Sequence, residues 1–196
     1  MSIDNNVIRE LIPFNLLYTH VLMICKYLRK PVPQFYYSEI KKHGFQETPI
    51  NHFWAHVLPL YFTQDRLCGI ELENRSLVEE IRNRANINIL SIRNGVQGDF
   101  SKKVVIISAS SWNDITGQLL DYLKVVRAEQ EYSGAIYGIC AVGSHVSFYS
   151  YNFEQEMLES YLDRSNDKRY ELQENEQEID AILAGLANKI CEGSLR

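Results

Sequence analysis

From Trp112 to Val126 the apolar residues Trp112, Ile115, Leu119, Leu123 and Val126 fall three or four apart, the spacing of one helix face. Asp114, Gln118 and Tyr122 form a second, polar stripe at i, i+4 and i+8. Just before this helix, Val104 to Ile107 is an unbroken apolar run, which predicts a strand covered on both faces. Just after it, GAIYGICAV reads as a strand, and HVSFYSY alternates apolar and polar residues with period two. Gly143-Ser144 between them predicts a two-residue hairpin turn that needs glycine first.

The pattern extends in both directions. Ser76 and Glu79 form an S-x-x-E capping box, so NRSLVEEIRNRA reads as a helix, with a strand starting near Ile87. NGVQGD, Asn94 to Asp99, is turn chemistry. Val7 to Leu28 carries helical spacing that Pro13 breaks or starts. RKPVPQ ends that helix, and its two prolines predict an extended link. FYYSEIKKHG predicts a short helix closed by Gly44, and NHFWAHVLPLYF a second one ending near Pro59. FEQEMLESYLDR and EIDAILAGLANKIC predict two C-terminal helices, joined by the solvated connector SNDKRYELQENEQ. The prediction is one α/β domain over 1–196: a mainly helical part over 1–75, an α/β core over 76–152 and C-terminal helices with an acidic connector over 153–196. The core is a small mixed sheet flanked by helices.

Composition narrows the function classes. The chain has 196 residues, of which 45% are hydrophobic, ample for a packed core. Its net charge of −5 excludes nucleic-acid binding through bulk charge, so a basic groove would have to be local. The ten acids between Glu154 and Asp180 face only Arg164, Lys168 and Arg169, the pattern of a solvated face. Cys25, Cys68, Cys140 and Cys191 are widely spaced, which argues against a disulfide framework or a zinc knuckle. Cys25 and Cys140 sit in apolar runs and read as buried thiols in a reducing compartment. Polar interruptions in Leu11–Leu28 argue against a membrane span. The expectation is a soluble intracellular protein, cytoplasmic or nuclear, with no membrane.

The order helix, strand, turn, strand, helix, strand, strand from Ser76 to Tyr151 resembles the common core of the PD-(D/E)XK nuclease-like superfamily, a restriction-endonuclease-like fold. Gln118-x-x-x-Tyr122 looks like the QxxxY motif of its RecB-like branch, and WNDITGQLLDYLKVV…GAIYGICAVGSHVSFYSYN resembles PD-(D/E)XK-like domains of fungal proteins. The resemblance implies a Mg²⁺ site built from a helical acid, an acid on the first hairpin strand and an E-x-K triplet on the next. Glu79 or Glu80 matches the helical acid, and Asp99 stands near the hairpin acid. The triplet, however, reads Ser108-x-Ser110. Hydroxyls cannot replace a carboxylate on Mg²⁺ or the charge of a lysine. The resemblance therefore implies a degenerate active site, a pseudoenzyme needing no cofactor. An alternative is a Mg²⁺-dependent nuclease with displaced ligands, its site residues drawn from Glu79, Asp99, Gln118 and Tyr122, with Glu71, Glu73 or Asp114 recruited.

Each of these residues also has a plain structural reading. Gln118 and Tyr122 suit a half-exposed helix face, Asp99 a turn, and Glu79 its capping box. His52 and His56, at i and i+4, have the spacing of a helical metal pair but sit among Phe53, Trp54, Val57 and Leu58, which predicts a partly buried pair. Lys26, Arg29, Lys30, Lys41, Lys42 and His43 with Phe35, Tyr36 and Tyr37 suit single-stranded nucleic acid and equally a protein interface. The reading that follows is a non-catalytic interaction module with a protein partner, nucleic acid being the second candidate.

Overall fold

The structure, a computed structural model, describes residues 27–72, 87–92, 100–109, 111–113, 115–129, 135–162 and 168–192. Helices α1 (Pro31–His43) and α2 (Glu47–Val57) come first. Strands β1 (Cys68–Leu72), β2 (Ile87–Ile92) and β3 (Phe100–Ala109) follow, then α3 (Ile115–Glu129). Strands β4 (Ile136–Val142), β5 (His145–Asn152), β6 (Met157–Ser160) and β7 (Tyr170–Glu171) precede the last helix, α4 (Glu176–Glu192). The strands form one mixed seven-stranded sheet in the order β1-β2-β3-β4-β5-β6, with β7 paired to β5. Among the described strands only the β3–β4 pair is parallel, and α3 connects those two strands.

The apolar run of β3 forces a two-sided sheet because successive side chains point to opposite faces. Val105 and Ile107 pack with Ile115, Leu119, Leu123 and Val126 of α3. Val104 and Ile106 pack on the other face, against Ile50, Phe53, Trp54 and Val57 of α2 and Ile179, Leu183 and Leu186 of α4. The expected α/β class, a small mixed sheet flanked by helices, is what the chain forms. Gly138 on β4 lets α3 approach closely: a Cβ there would lie 2.5 Å from Leu119 Cδ2. Gly143 opens the β4–β5 turn at φ +56°, a conformation that suits glycine. Cys68 and Cys140 are both buried free thiols, and Cys25 lies outside the described residues. No helix of the described residues is long and apolar enough to cross a membrane.

Two expectations about secondary structure are corrected. The Arg29–Gln34 segment is not an extended link: Pro31 and Pro33 occupy the first turn of α1. The first backbone N–H groups of a helix have no intrahelical acceptor, so proline costs no hydrogen bond there. FEQEMLESYLDR is not a helix. Asn152 Oδ1 accepts from the N–H groups of Glu154 and Gln155 at 3.1 and 3.2 Å and bends the chain into a turn. That turn has Glu156 at φ +49°, and the chain returns as β6, an extra strand on the edge of β5. Phe153 and Met157, the expected core of that helix, are exposed. Only the second of the two expected C-terminal helices, α4, is present.

The acidic stretch is also not uniformly solvated. Glu171 and Asp180 are buried, and Tyr170 and Leu172 join the core. Tyrosines of the N-terminal part reach them. The Tyr37 hydroxyl donates to Glu171 Oε1 at 2.9 Å, Tyr61 donates to Asp180, and Tyr27 donates to the Leu172 carbonyl. The backbone N–H of Leu28 donates to Glu176 Oε1 at 2.9 Å. These bonds tie the first and last helical segments into one layer on one face of the sheet.

Candidate functional site

The sequence points to β3 and α3, and there the alternation of β3 decides what can meet. Ser108 is two residues on from Ile106 and shares its face. It is buried, and its hydroxyl donates to Asn51 Oδ1 of α2. Tyr122 lies on the opposite side of the sheet, on α3. It is also buried, its hydroxyl 3.4 Å from Nδ2 and 3.5 Å from Oδ1 of Asn88 on β2. Gln118, one turn earlier, is half-buried. Tyr122 thus belongs to the packing of α3 on β2 rather than to an open polar stripe, while Gln118 sits at the margin of that contact.

The sheet separates Ser108 from Tyr122, so the two cannot act on one phosphate group. Glu71 on β1 pairs in register with Asn88 and so shares its face; it is exposed. Among the described residues, no three of His, Cys, Asp and Glu come together as a set that could hold a metal ion. Glu73, Glu79, Glu80, Asp99, Ser110 and Asp114 lie outside the described residues. At Ser108, the described residue that the resemblance aligns with the E-x-K triplet, the donors do not fit Mg²⁺. A neutral hydroxyl bound to a neutral amide supplies none of the charge that a hard cation needs.

The fold assembles two groupings of polar and aromatic side chains. The first surrounds Glu171. Its carboxylate accepts from the backbone N–H of Gln173 at 2.7 Å, from that of Glu174 at 2.8 Å and from Tyr37, with Lys41 Nζ at 3.8 Å. Burial alone would raise its pKa. The N–H donors of Glu174 and Gln173 and the hydroxyls of Tyr37 and Ser144 outweigh that and hold it below the usual carboxylate range. The Tyr37 hydroxyl is pushed upward by burial and by this bond. The arrangement fastens α1 to the β4–β5 turn and the start of α4, with two backbone N–H groups and the Tyr37 hydroxyl spent on the carboxylate. It is structural.

The second grouping is on the surface of α1 and α2. The Tyr36 ring stacks on His52, with centroids 5.1 Å apart and planes 18° apart, and on His56 at 5.4 Å and 10°. Phe35 meets Tyr36 edge-on at 5.1 Å and is 55% exposed. His52 and His56 are exposed, not partly buried as their apolar neighbours suggest. Phe53, Trp54 and Val57 take the core side of α2 and leave the histidines on the outer side. Of the basic residues grouped with this surface in the sequence, Lys41 turns instead toward Glu171, and Lys42 and His43 lie against Glu39. Arg29 and Lys30 are exposed at the start of α1. No protein-family model matches the chain, and neither a curated protein nor a solved structure matches it.

Proposed function

We propose that this protein is a non-catalytic, intracellular interaction module on a nuclease-like α/β scaffold, with a protein as its partner. One observation carries the reading: the hydroxyl at the E-x-K position is buried against Asn51 on one face of the sheet, and the QxxxY tyrosine is buried against Asn88 on the other. Residues so placed contribute packing and cannot converge on a scissile phosphate. The order β2, β3, α3, β4, β5 matches the part of the suggested order that falls on described residues, its opening helix lying outside them, which supports the scaffold half of the proposal. An exposed apolar and aromatic surface on α1, with Val32 at 46% and Phe35 at 55% exposure beside Tyr36, supports the binding half. Aromatic side chains there offer large contact area at little entropic cost.

Two measurements test the two halves. Purified protein incubated with DNA or RNA and Mg²⁺ or Mn²⁺ is expected to cleave neither. Metal-dependent cleavage that disappears in Asp99→Ala would replace this reading with that of a nuclease using displaced ligands. Affinity capture from cell extract, with partner identification, is expected to recover a protein with the wild type and lose it with Phe35→Ala. Recovery of nucleic acid alone would reassign the partner.

A further inference from the structure

We infer that His52 and His56 form a surface site for a borderline divalent ion of the zinc, nickel or copper class. The inference does not depend on the proposed function and involves none of the residues matched to the nuclease motifs. The two histidines are one turn apart on α2, which puts their side chains on the same side of a regular helix. Both are exposed, so neither has to be dragged from a core to meet an ion. Beyond their ring contacts, neither imidazole has a hydrogen bond or ion pair among the described residues.

Tyr36 adds orientation. Its ring lies within 18° of the His52 plane and 10° of the His56 plane, so both imidazoles are held in one attitude. Stacking occupies the ring faces. Coordination uses the nitrogen lone pair, which lies in the ring plane at its edge, so the two interactions do not compete. Neutral imidazole suits zinc, copper and nickel, whereas Mg²⁺ and Ca²⁺ prefer hard oxygen ligands. Among the described residues no third His, Cys, Asp or Glu completes the set, so water or a partner's side chain fills the remaining positions. Tyr36 is a positioning residue here and touches no ion.

The test is calorimetric titration of the full chain with zinc chloride near neutral pH. The expected result is a single class of moderate-affinity sites at one ion per chain. His52→Gln and His56→Gln should each loosen it at least tenfold, and His145→Gln, on an exposed residue of β5, should leave it unchanged. Tyr36→Ala should weaken binding several-fold and Tyr36→Phe should restore it, because the ring and not the hydroxyl does the orienting. Circular dichroism of the histidine variants should match the wild type, since both positions are exposed. Zinc affinity unchanged in His52→Gln or in His56→Gln, or no zinc binding by the wild type, overturns the inference.

Discussion

The two faces of the sheet are covered in different ways. One is closed by α3, whose sequence lies between the strands it covers; Leu119 packs against Gly138, nineteen positions along the chain. The other is closed by α1, α2 and α4, which come from opposite ends of the described chain and are joined by tyrosine–carboxylate bonds. Tyr61 and Asp180 are 119 positions apart. The first face is local and almost wholly apolar; the second is non-local and depends on buried polar partners. Local closure costs little loop entropy, while distant segments repay their ordering only once they are in place.

The largest effects should come from truncating buried leucines on each face. Leu119→Ala on α3 and Leu183→Ala on α4 both remove fully buried side chains, and each should cost about 2–5 kcal/mol in denaturant unfolding. Their kinetics should differ. If the α3 face forms early, Leu119→Ala slows folding, whereas Leu183→Ala mainly speeds unfolding. Stopped-flow refolding and unfolding of the two variants decide this; equal partitioning of the two losses would abolish the kinetic contrast between the faces.

That contrast also explains how much could be read from the chain. β3, α3, β4 and the Gly143 turn are legible because each is specified by a short window: an apolar run, a 3.6-residue stripe, a change to period two, a glycine. β6 is hidden in the sequence because Phe153, Met157, Leu158 and Tyr161 also fit helical spacing, and the Asn152 side chain and the edge of β5 override it. Pro31 and Pro33 are ambiguous in sequence because proline breaks a helix interior and yet starts a helix well. That Ser108 carries a hydroxyl and no charge was legible, but its partner Asn51 is 57 positions away and no local pattern announces it. The burial of Glu171 and Asp180 had one faint signal, the twelve tyrosines, each an apolar body with a hydroxyl that must find an acceptor when buried. The spacing of His52 and His56 was plain; their exposure depended on which side of α2 faces the core.

Intermediate effects should come from the polar fastenings of the non-local face. Tyr61→Phe removes a donor from the buried carboxylate of Asp180, and hydrogen bonds to charged groups are worth about 1.5–3 kcal/mol. Tyr27→Phe removes a donor from the neutral Leu172 carbonyl and should cost nearer to about 1 kcal/mol. Chemical denaturation of the two variants ranks them. If Tyr27→Phe proves the more damaging, acceptor charge does not govern this layer, and packing of the rings does.

The smallest effect is a dependence on pH. Glu171 has its pKa lowered from 4.5 in the folded protein, by the N–H groups of Glu174 and Gln173 and the Tyr37 and Ser144 hydroxyls acting against burial. A carboxyl depressed by folding binds fewer protons folded than unfolded, so it adds stability above its unfolded pKa. That contribution drains as pH falls below 4.5 toward the lowered folded value. Stability of the wild type should therefore fall through this acid window, and Glu171→Gln, which keeps the shape but cannot ionise, should fall less steeply there. Above the window the variant should be the less stable of the two, because a neutral amide accepts more weakly from two backbone N–H groups and a tyrosine. Parallel acid limbs for wild type and variant would mean that other carboxylates, with Asp180 the nearest candidate by burial, carry the acid sensitivity of the layer that joins the two ends of the chain.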